Sequence, residues 1–247
     1  MIQTGSDSSF CRHAWLRMIM LSVVSAVMLC GGAISARSAE RVALADAPLT
    51  ALRVFADIPL DVLDMLRPST RLDMIDYYEQ ADSLLSAPNA LEGKSRFLEV
   101  ADDYLRVEET SVSTLEIKIL PLKKNKRVVM TLYTVGTDDG AKDTEVRFFD
   151  ELLNPVSDNS LIKFPDLTRF FNLKESGVSK NELKKLIPVV AVRYSTGPGD
   201  APLTADLTSW QILPNETKEM LESHFIPSLN ATWKGSYKFS SPQKHSK

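Results

Sequence analysis

The feature of this sequence that most constrains its fold is a central series of short segments in which apolar and polar residues alternate. Apolar and charged residues alternate from Leu115 to Ile119, which is the pattern of a strand buried on one face only. Short polar turns join the segments, so the strands are predicted to pair as an antiparallel meander rather than as a parallel sheet with helical crossovers. The other segments of this meander are residues 97–101, 104–108, 128–135 and 144–148.

Short helices are predicted before the meander. Residues 49–55 are apolar at helical spacing. A second helix is predicted to begin at Pro59, because proline suits the first helical position, and to end at Pro68. Its buried stripe is expected to consist of Leu60, Leu63 and Leu66.

The densest mixture of apolar, aromatic and charged side chains lies in residues 71–80, which predict a third helix. Thr70 is assigned as its N-cap, with Asp73 three residues later in a variant of the capping box. Arg71 is expected to hold this helical layer by pairing with an acid or with a loop carbonyl. The residues predicted to face the meander are Leu72, Ile75 and Tyr78.

The C-terminal half repeats the order of helix followed by strands. Ser179 and Glu182 form a capping-box pattern for a helix over residues 180–186. A shorter helix is expected over residues 166–172, and Asn215 is expected to cap another that ends at Glu222. Strands are predicted over residues 188–194, 203–213 and 230–239, with a broad turn over residues 195–202.

These elements predict an α+β fold in which an antiparallel β meander packs against short N-terminal helices, with further helix–strand elements in the C-terminal half. Hydrophobic residues make up 44% of the chain, which is enough for a substantial core. One domain is predicted over residues 39–240, followed by a disordered tail over residues 241–247. The alternative is a domain of two similar halves, residues 49–150 and 165–240.

Residues 1–38 have the order of a secretory signal peptide. Arg12 and Arg17 give a positive start, residues 16–29 are mainly apolar, and small residues follow. Cleavage is predicted near residue 38, with export to the periplasm or the outer membrane. Lipidation at Cys30 is the alternative, and it alone would attach the protein to a membrane. The bulky Leu29 disfavours it, because lipoprotein signals carry a small residue there.

Charge and cysteine content exclude several classes of partner and chemistry. The formal net charge is −3, and removing residues 1–38 takes away three arginines and one aspartate, which leaves −5. An acidic protein is not expected to bind nucleic acid, because binding to phosphates depends on an excess of lysine and arginine. Cys11 and Cys30 both lie in the leader, so no disulfide, thiol nucleophile or cysteine-bound metal is predicted.

The sequence contains no catalytic motif that we can assign. His224 is the one histidine expected within the folded domain, and it is assigned to a helix C-terminus. A nucleophile elbow and the glycine-rich phosphate loops are absent from the sequence. We therefore predict no enzymatic activity, no cofactor and no metal. The basic residues 123–127 are interpreted as a solvated hairpin turn.

Five residues are weak candidates for a binding site. Asp73 and Asp76 lie three residues apart on one helix next to Arg71, an arrangement compatible with an acid pair or a hard cation. Trp210 and Trp233 are aromatic residues of the kind that stack on sugar rings. Structural roles compete in each case: capping or ion pairing for the charged residues, and core packing for the tryptophans.

Segments spread over nearly the whole mature chain carry a resemblance to a known family. They are residues 55–59, Leu63, Leu66, and residues 71–76, 89–95, 103–105, 120–122, 226–229 and 233–235. In these segments the chain resembles a domain-of-unknown-function family of exported proteins from Bacteroidetes. The resemblance implies an envelope location and makes glycosylation at the acceptor patterns of Asn215 and Asn230 improbable. It implies no activity and no functional residues.

The leading functional hypothesis is an exported, non-enzymatic binding or scaffolding module of the cell envelope, whose partner is an envelope protein or a glycan. A carboxylate-based glycan hydrolase is the first alternative, and it requires an open cleft with two carboxylates about 5–10 Å apart. A small carbohydrate- or lipid-binding module is the second alternative, and it requires Trp210 or Trp233 to be exposed beside a groove.

Overall fold

Seven consecutive strands pair in chain order to form one antiparallel sheet. The structure is a computed structural model, and it describes residues 48–81 and 86–239. The predicted signal peptide, both cysteines and the predicted disordered tail lie outside the described residues. The strands are β1 (Ser86–Pro88), β2 (Lys94–Ala101), β3 (Tyr104–Thr110), β4 (Ser113–Pro121), β5 (Arg127–Val135), β6 (Asp143–Phe149) and β7 (Pro155–Val156).

The predicted meander is thereby confirmed, including the hairpin between β2 and β3 and the basic turn between β4 and β5. Lys124 and Asn125 in that turn have φ values of 61° and 57°, and their side chains are exposed. Left-handed backbone of this kind suits a tight turn with polar residues. The basic cluster is therefore a solvated hairpin, as the sequence predicts.

Two helices, α1 (Ala51–Asp57) and α2 (Pro68–Ala81), cover one face of the sheet. The Thr50 hydroxyl caps α1 by accepting a hydrogen bond from the amide of Arg53 at 3.3 Å. Phe55 of α1 packs edge-on against Phe97 of β2, with ring centroids 5.2 Å apart. The strand residues in this core include Leu105, Leu115, Ile117, Ile119 and Val129.

The helix predicted to run from Pro59 to Pro68 does not form. Residues 58–67 make turns instead, although Leu63 and Leu66 are buried as expected. Pro68 begins α2 rather than ending a helix, because its fixed φ suits the first turn and its missing amide hydrogen is not needed there. Thr70 consequently lies inside α2 and is not its N-cap.

The buried face of α2 also differs from the prediction. Arg71 and Met74 are buried, and Ile75 and Tyr78 pack partly against the core. Leu72 is 54% exposed, so its predicted inward position is wrong. Successive residues of an α-helix are rotated by about 100° around its axis, so Arg71 and Leu72 point in different directions. Arg71 is the residue that faces the core.

The C-terminal half forms a second layer on the opposite face of the sheet. A small antiparallel sheet has the strand order Ser228–Ala231, Leu203–Leu207, Val192–Ser195, and two further short strands, Ile162–Lys163 and Tyr237–Lys238, pair in parallel. The elements are β8 (Ile162–Lys163), α3 (Leu173–Ser176), α4 (Lys180–Leu186), β9 (Val192–Ser195), β10 (Leu203–Leu207), α5 (Asn215–Leu221), β11 (Ser228–Ala231) and β12 (Tyr237–Lys238).

This second layer makes β4 a strand that is buried on both faces. Glu116 is 4% exposed and Lys118 is 2% exposed, so the predicted one-sided burial is wrong. The fold class is nevertheless α+β, as predicted. A separate core joins β4, β5 and β6 to the C-terminal elements, and it includes Met130, Leu132, Phe148, Phe170, Leu203 and Tyr237.

In the C-terminal half, one predicted helix cap is confirmed, and the predicted strands differ from the observed ones in their bounds. The capping box of Ser179 and Glu182 is present at the start of α4. The strand predicted over residues 203–213 ends at Leu207, because Thr208–Ile212 turn into a 3₁₀ helix. The strand predicted from Pro188 begins only at Val192. The closing segment, residues 230–239, is divided between the short strands β11 and β12.

The described residues from Leu49 onward belong to one compact unit, and the domain boundaries at residues 39 and 240 stay predictions. Within residues 48–81 and 86–239, no helix has the length and apolar character that crossing a membrane requires.

Candidate functional site

A cluster of buried charges fastens the loop of residues 196–202 onto the central sheet. Glu116 of β4 accepts hydrogen bonds at one carboxylate oxygen from the Tyr104 hydroxyl and from the amide of Thr196, both at 3.0 Å. Lys118, two residues further along β4, donates to the Asp103 carboxylate and to the Gly199 carbonyl, both at 2.6 Å. We call Asp103, Tyr104, Glu116 and Lys118 the loop clasp.

Asp103 completes the loop clasp from the β2–β3 turn. Its carboxylate also accepts the amide hydrogen of Gly199, at 3.1 Å from one oxygen and 3.3 Å from the other. Lys118 and Gly199 thus converge on one carboxylate that remains partly open to solvent. The loop clasp connects β3, β4 and the loop of residues 196–202. Its geometry is that of contacts that stabilise the fold rather than that of a catalytic site.

Burial raises the pKa of Glu116, although the bonds from Thr196 and Tyr104 oppose the shift. The folded protein therefore takes up this proton at a higher pH than the unfolded chain does. The Glu116 contribution to stability falls as pH rises from about 4.3, the ordinary glutamate value, through the raised folded-state value.

Glu116→Gln is expected to remove this pH-dependent penalty. The unfolding free energy of the variant, relative to the wild type, should increase as pH rises from about 4 to about 7. Urea unfolding at a series of pH values measures the difference, and Glu219→Gln, at an exposed position of α5, is the matched control. A relative stability that stays constant over this range would contradict the raised pKa.

An open groove of about 550 Å³ lies on the C-terminal layer. We call it the Trp210 groove. Three strands of the small sheet contribute to one side, and the 3₁₀ helix Thr208–Ile212 contributes to another. The residues that line it are Asp138, Lys142, Arg193, Asp206, Leu207, Thr208, Trp210, Gln211, Phe225, Pro227 and Ser228.

A polar row crosses the floor of the Trp210 groove. Arg193, Asp206 and Ser228 lie side by side on β9, β10 and β11, because Asp206 is in register with both of the others. The Arg193 guanidinium donates to the Asp206 carboxylate at 2.6 and 3.2 Å. The Ser228 hydroxyl donates to the other oxygen of Asp206. These contacts hold the three polar groups in a fixed arrangement.

An aromatic pair forms the apolar wall of the groove. The rings of Trp210 and Phe225 stack with centroids 4.0 Å apart and planes 12° apart. Phe171 packs against Phe225 at 5.5 Å and supports the pair from the core side. Trp210 is half-buried and borders the groove. The carbohydrate- or lipid-binding hypothesis requires an exposed ring beside a groove, so the structure meets the second condition in full and the first only in part.

The rim of the groove is fixed by Thr208. Its hydroxyl accepts the amide hydrogen of Lys142 at 3.1 Å and donates to the carbonyl of the same residue. The Lys142 ammonium pairs with Asp138 at 2.6 Å. This hydrogen bond from Lys142 lowers the pKa of Asp138, so Asp138 stays ionised and is a poor general acid.

The charges of the groove are balanced. Arg193 pairs with Asp206, and Lys142 pairs with Asp138. Among the described residues, no group of three or more His, Cys, Asp or Glu side chains could hold a metal ion. The arrangement is chemically suited to hydrogen bonding and apolar contact with a ligand.

Arg71, Asp73 and Asp76 are not brought together. Arg71 is 1% exposed, and its guanidinium donates to the carbonyls of Leu66 at 2.9 Å, Ile58 at 2.5 Å and Leu63 at 2.8 Å. Asp73 and Asp76 are exposed on the other side of α2. Arg71 thus pairs with loop carbonyls, which is one of the two partners that the sequence suggests, and its geometry is structural.

The contacts of Trp233 and His224 are also with neighbouring parts of the fold. The Trp233 indole nitrogen donates to the carbonyl of Pro121 at 2.7 Å, and its ring packs on Tyr237 with centroids 4.9 Å apart. His224 ends the 3₁₀ helix Glu222–His224, and its carbonyl accepts the amide hydrogen of Asn172. Of the five candidates, only Trp210 lines the groove.

A second groove, of about 570 Å³, lies between α1, α2 and the β2–β3 hairpin. Its wall includes Leu52, Ile75 and Tyr78, together with the exposed Leu72. This surface explains the apolar character of residues 71–80 beyond the buried face of α2.

Sequence reasoning identified none of the polar residues that line the Trp210 groove as site candidates. Arg193 and Asp206 occupy polar positions in alternating segments, and this alternation was visible. Their register with Ser228 was not visible, because it depends on strand pairing between distant parts of the chain.

Comparisons with known proteins agree with the fold. A family model described as "Protein of unknown function (DUF3256)" matches residues 47–239. No curated protein matches the chain in sequence. Among solved structures, a domain of an uncharacterized protein from Porphyromonas gingivalis W83, a member of the Bacteroidetes, is similar with a TM-score of 0.65 and 18% identity. The match covers 77% of this chain and 98% of that one, and at this identity it shows a shared fold.

Proposed function

We propose that this chain, which belongs to the family DUF3256, is an exported, non-enzymatic module of the bacterial cell envelope that binds a ligand in the Trp210 groove. The observation that carries the proposal is the groove itself. It combines a fixed polar row with an aromatic wall, and sites of this kind bind ligands through a few oriented polar groups and an apolar surface.

The states of the groove carboxylates favour binding over glycan hydrolysis. A hydrolase of the acid-pair type needs one carboxyl group with a raised pKa to protonate the leaving group. Lys142 lowers the pKa of Asp138, and Asp206 is held between Arg193 and Ser228. Glu116 does have a raised pKa, but it is buried in the loop clasp and is not among the residues that line the groove.

Export is supported by the sequence of residues 1–38, with its positive start, apolar run and small residues. The acidic balance of the remaining chain supports an envelope protein or a glycan as partner rather than a nucleic acid. Fractionation of cells that produce the protein tests the location: the proposal expects it, shortened by removal of the leader, in the periplasmic or outer-membrane fraction.

Blocking the groove is expected to abolish binding. Ser228→Arg places a long side chain at the end of the polar row, and Ser111→Arg makes the same change in the exposed β3–β4 turn. The protein, purified as the cell produces it, is immobilised and incubated with solubilised envelope extract. Mass spectrometry should find a species retained by the wild type and by Ser111→Arg, and lost with Ser228→Arg. Equal retention by all three proteins would contradict a binding role for the groove.

A further inference from the structure

We propose that the ligand of the Trp210 groove is a neutral oligosaccharide that extends beyond the groove along the outer face of the small sheet. This inference rests on the proposed binding function and names the ligand class. It is carried by three observations: the balanced charges of the groove, its aromatic wall, and a second polar row that continues the same sheet face.

The balanced charges select against charged ligands. Each cation that lines the groove already has a carboxylate partner at 2.6 Å, Asp206 for Arg193 and Asp138 for Lys142. A phosphate or carboxylate ligand that approached either cation would also meet that cation's carboxylate partner, and an organic cation that approached either carboxylate would meet Arg193 or Lys142. A neutral ligand rich in hydroxyl groups faces neither penalty.

The polar row suits the hydroxyl groups of a sugar, and the aromatic wall suits the apolar face of its ring. Hydroxyl groups can both donate and accept, so they can bind to the edges of the Arg193–Asp206–Ser228 row without displacing its internal bonds. The carbon-bound hydrogens of a sugar ring form an apolar surface that suits the Trp210–Phe225 pair. A lipid tail would displace water from the polar row without offering it any hydrogen bonds in return, which is costly for polar groups.

A second polar row lies two residues further along each strand. Thr204 of β10 is in register with Ser195 of β9 and with Asn230 of β11, and its hydroxyl donates to the Asn230 side-chain oxygen at 3.0 Å. Two residues of a strand span about 6.8 Å. The second row lies beyond the residues that line the groove, so it extends the polar track for a ligand that is longer than one sugar ring.

The test separates the ligand class from binding itself. The envelope extract is divided, and one half is treated with periodate, which cleaves the vicinal diols of sugars. The species retained by the wild type should disappear after this treatment. A Ser228→Arg-sensitive species that survives periodate overturns the carbohydrate assignment but leaves the proposed function standing. An extract from which nothing is retained in a groove-dependent way overturns both.

The dependence of binding affinity on oligosaccharide length tests the role of the second polar row. Neutral oligosaccharides from disaccharides to hexasaccharides, and acidic ones of equal length, are titrated calorimetrically into the wild type, Thr204→Val, Ser228→Arg and the surface control Tyr77→Ala. We expect neutral chains to bind more tightly as they lengthen, and Ser228→Arg to lose about tenfold or more in affinity for every length. Thr204→Val should lose affinity only for the longer chains, and Tyr77→Ala should match the wild type. Preference for the acidic series, or affinity that does not change with length, would overturn the inference.

Discussion

Arg71→Ala is expected to lower the free energy of unfolding by about 3–5 kcal/mol, the range typical of removing one partner from a buried, charged hydrogen-bond network. The three carbonyls that the guanidinium binds belong to Ile58, Leu63 and Leu66, within a segment of turns. Turns cannot satisfy these carbonyls internally as a helix would. Alanine would leave them buried without donors.

A second reason for a large effect is electrostatic. Burial lowers the pKa of Arg71, and the negative charge of Glu109 opposes that shift. Glu109 is 0% exposed. One of its carboxylate oxygens accepts hydrogen bonds from Ser113 at 3.0 Å and Tyr133 at 2.5 Å, and the other has no hydrogen-bond partner among the described residues. Removing Arg71 would take away a compensating charge from an already under-satisfied group.

Urea unfolding of three variants separates these causes. Arg67→Ala changes an exposed arginine four residues earlier and should stay within about 0.5 kcal/mol of the wild type. Arg71→Lys keeps the charge but replaces the planar guanidinium with a compact ammonium group, which matches the three carbonyls less well. It should therefore recover only part of the stability. Arg71→Ala with the same unfolding midpoint as Arg67→Ala would show that the carbonyl contacts do not stabilise the helical layer.

The meander and the cap of α4 could be predicted because they depend on neighbouring residues. The alternation from Leu115 to Ile119 needs no knowledge of distant parts of the chain, and Ser179 and Glu182 are three residues apart. Pro68 shows the limit of such signals. A proline marks a helix boundary in either direction, and only packing decided that it begins α2 rather than ending a helix.

The burial of Glu116 and Lys118 could not be predicted, because alternation tells only that one face of a strand is apolar. The loop that covers their face is supplied by Thr196 and Gly199, which lie 80 residues or more further along the chain. The Trp210 groove has the same origin. Arg193, Asp206 and Ser228 become neighbours through the register of three short strands, whereas the aromatic character of Trp210 was visible at once.

Lys118→Ala is expected to lower the free energy of unfolding by about 2–4 kcal/mol, the range for replacing a large buried side chain with alanine. The side chain is 2% exposed, so alanine removes buried methylene groups and leaves a cavity between β4 and the loop of residues 196–202. It also removes two charge-assisted hydrogen bonds, to Asp103 and Gly199. The electrostatic part is moderate, because the Asp103 side chain is 38% exposed and can turn to water.

Two controls identify the source of this loss. Lys118→Met keeps most of the buried volume without the charge, so it should lose less than half as much as Lys118→Ala. Lys94→Ala removes an exposed lysine of β2 and should leave stability within about 0.5 kcal/mol of the wild type. Equal losses for Lys118→Ala and Lys94→Ala would show that the buried ammonium does not hold the layers together.

Hydrogen exchange locates the effect within the loop clasp. The amide hydrogen of Gly199 is donated to the Asp103 carboxylate, and Lys118 fixes that carboxylate from the sheet side. In Lys118→Ala the Gly199 amide should exchange faster by a larger factor than the amides of β4 and β5, because the loop can open without unfolding of the sheet. If all these amides accelerate equally, the cluster contributes only to global stability and does not fasten the loop.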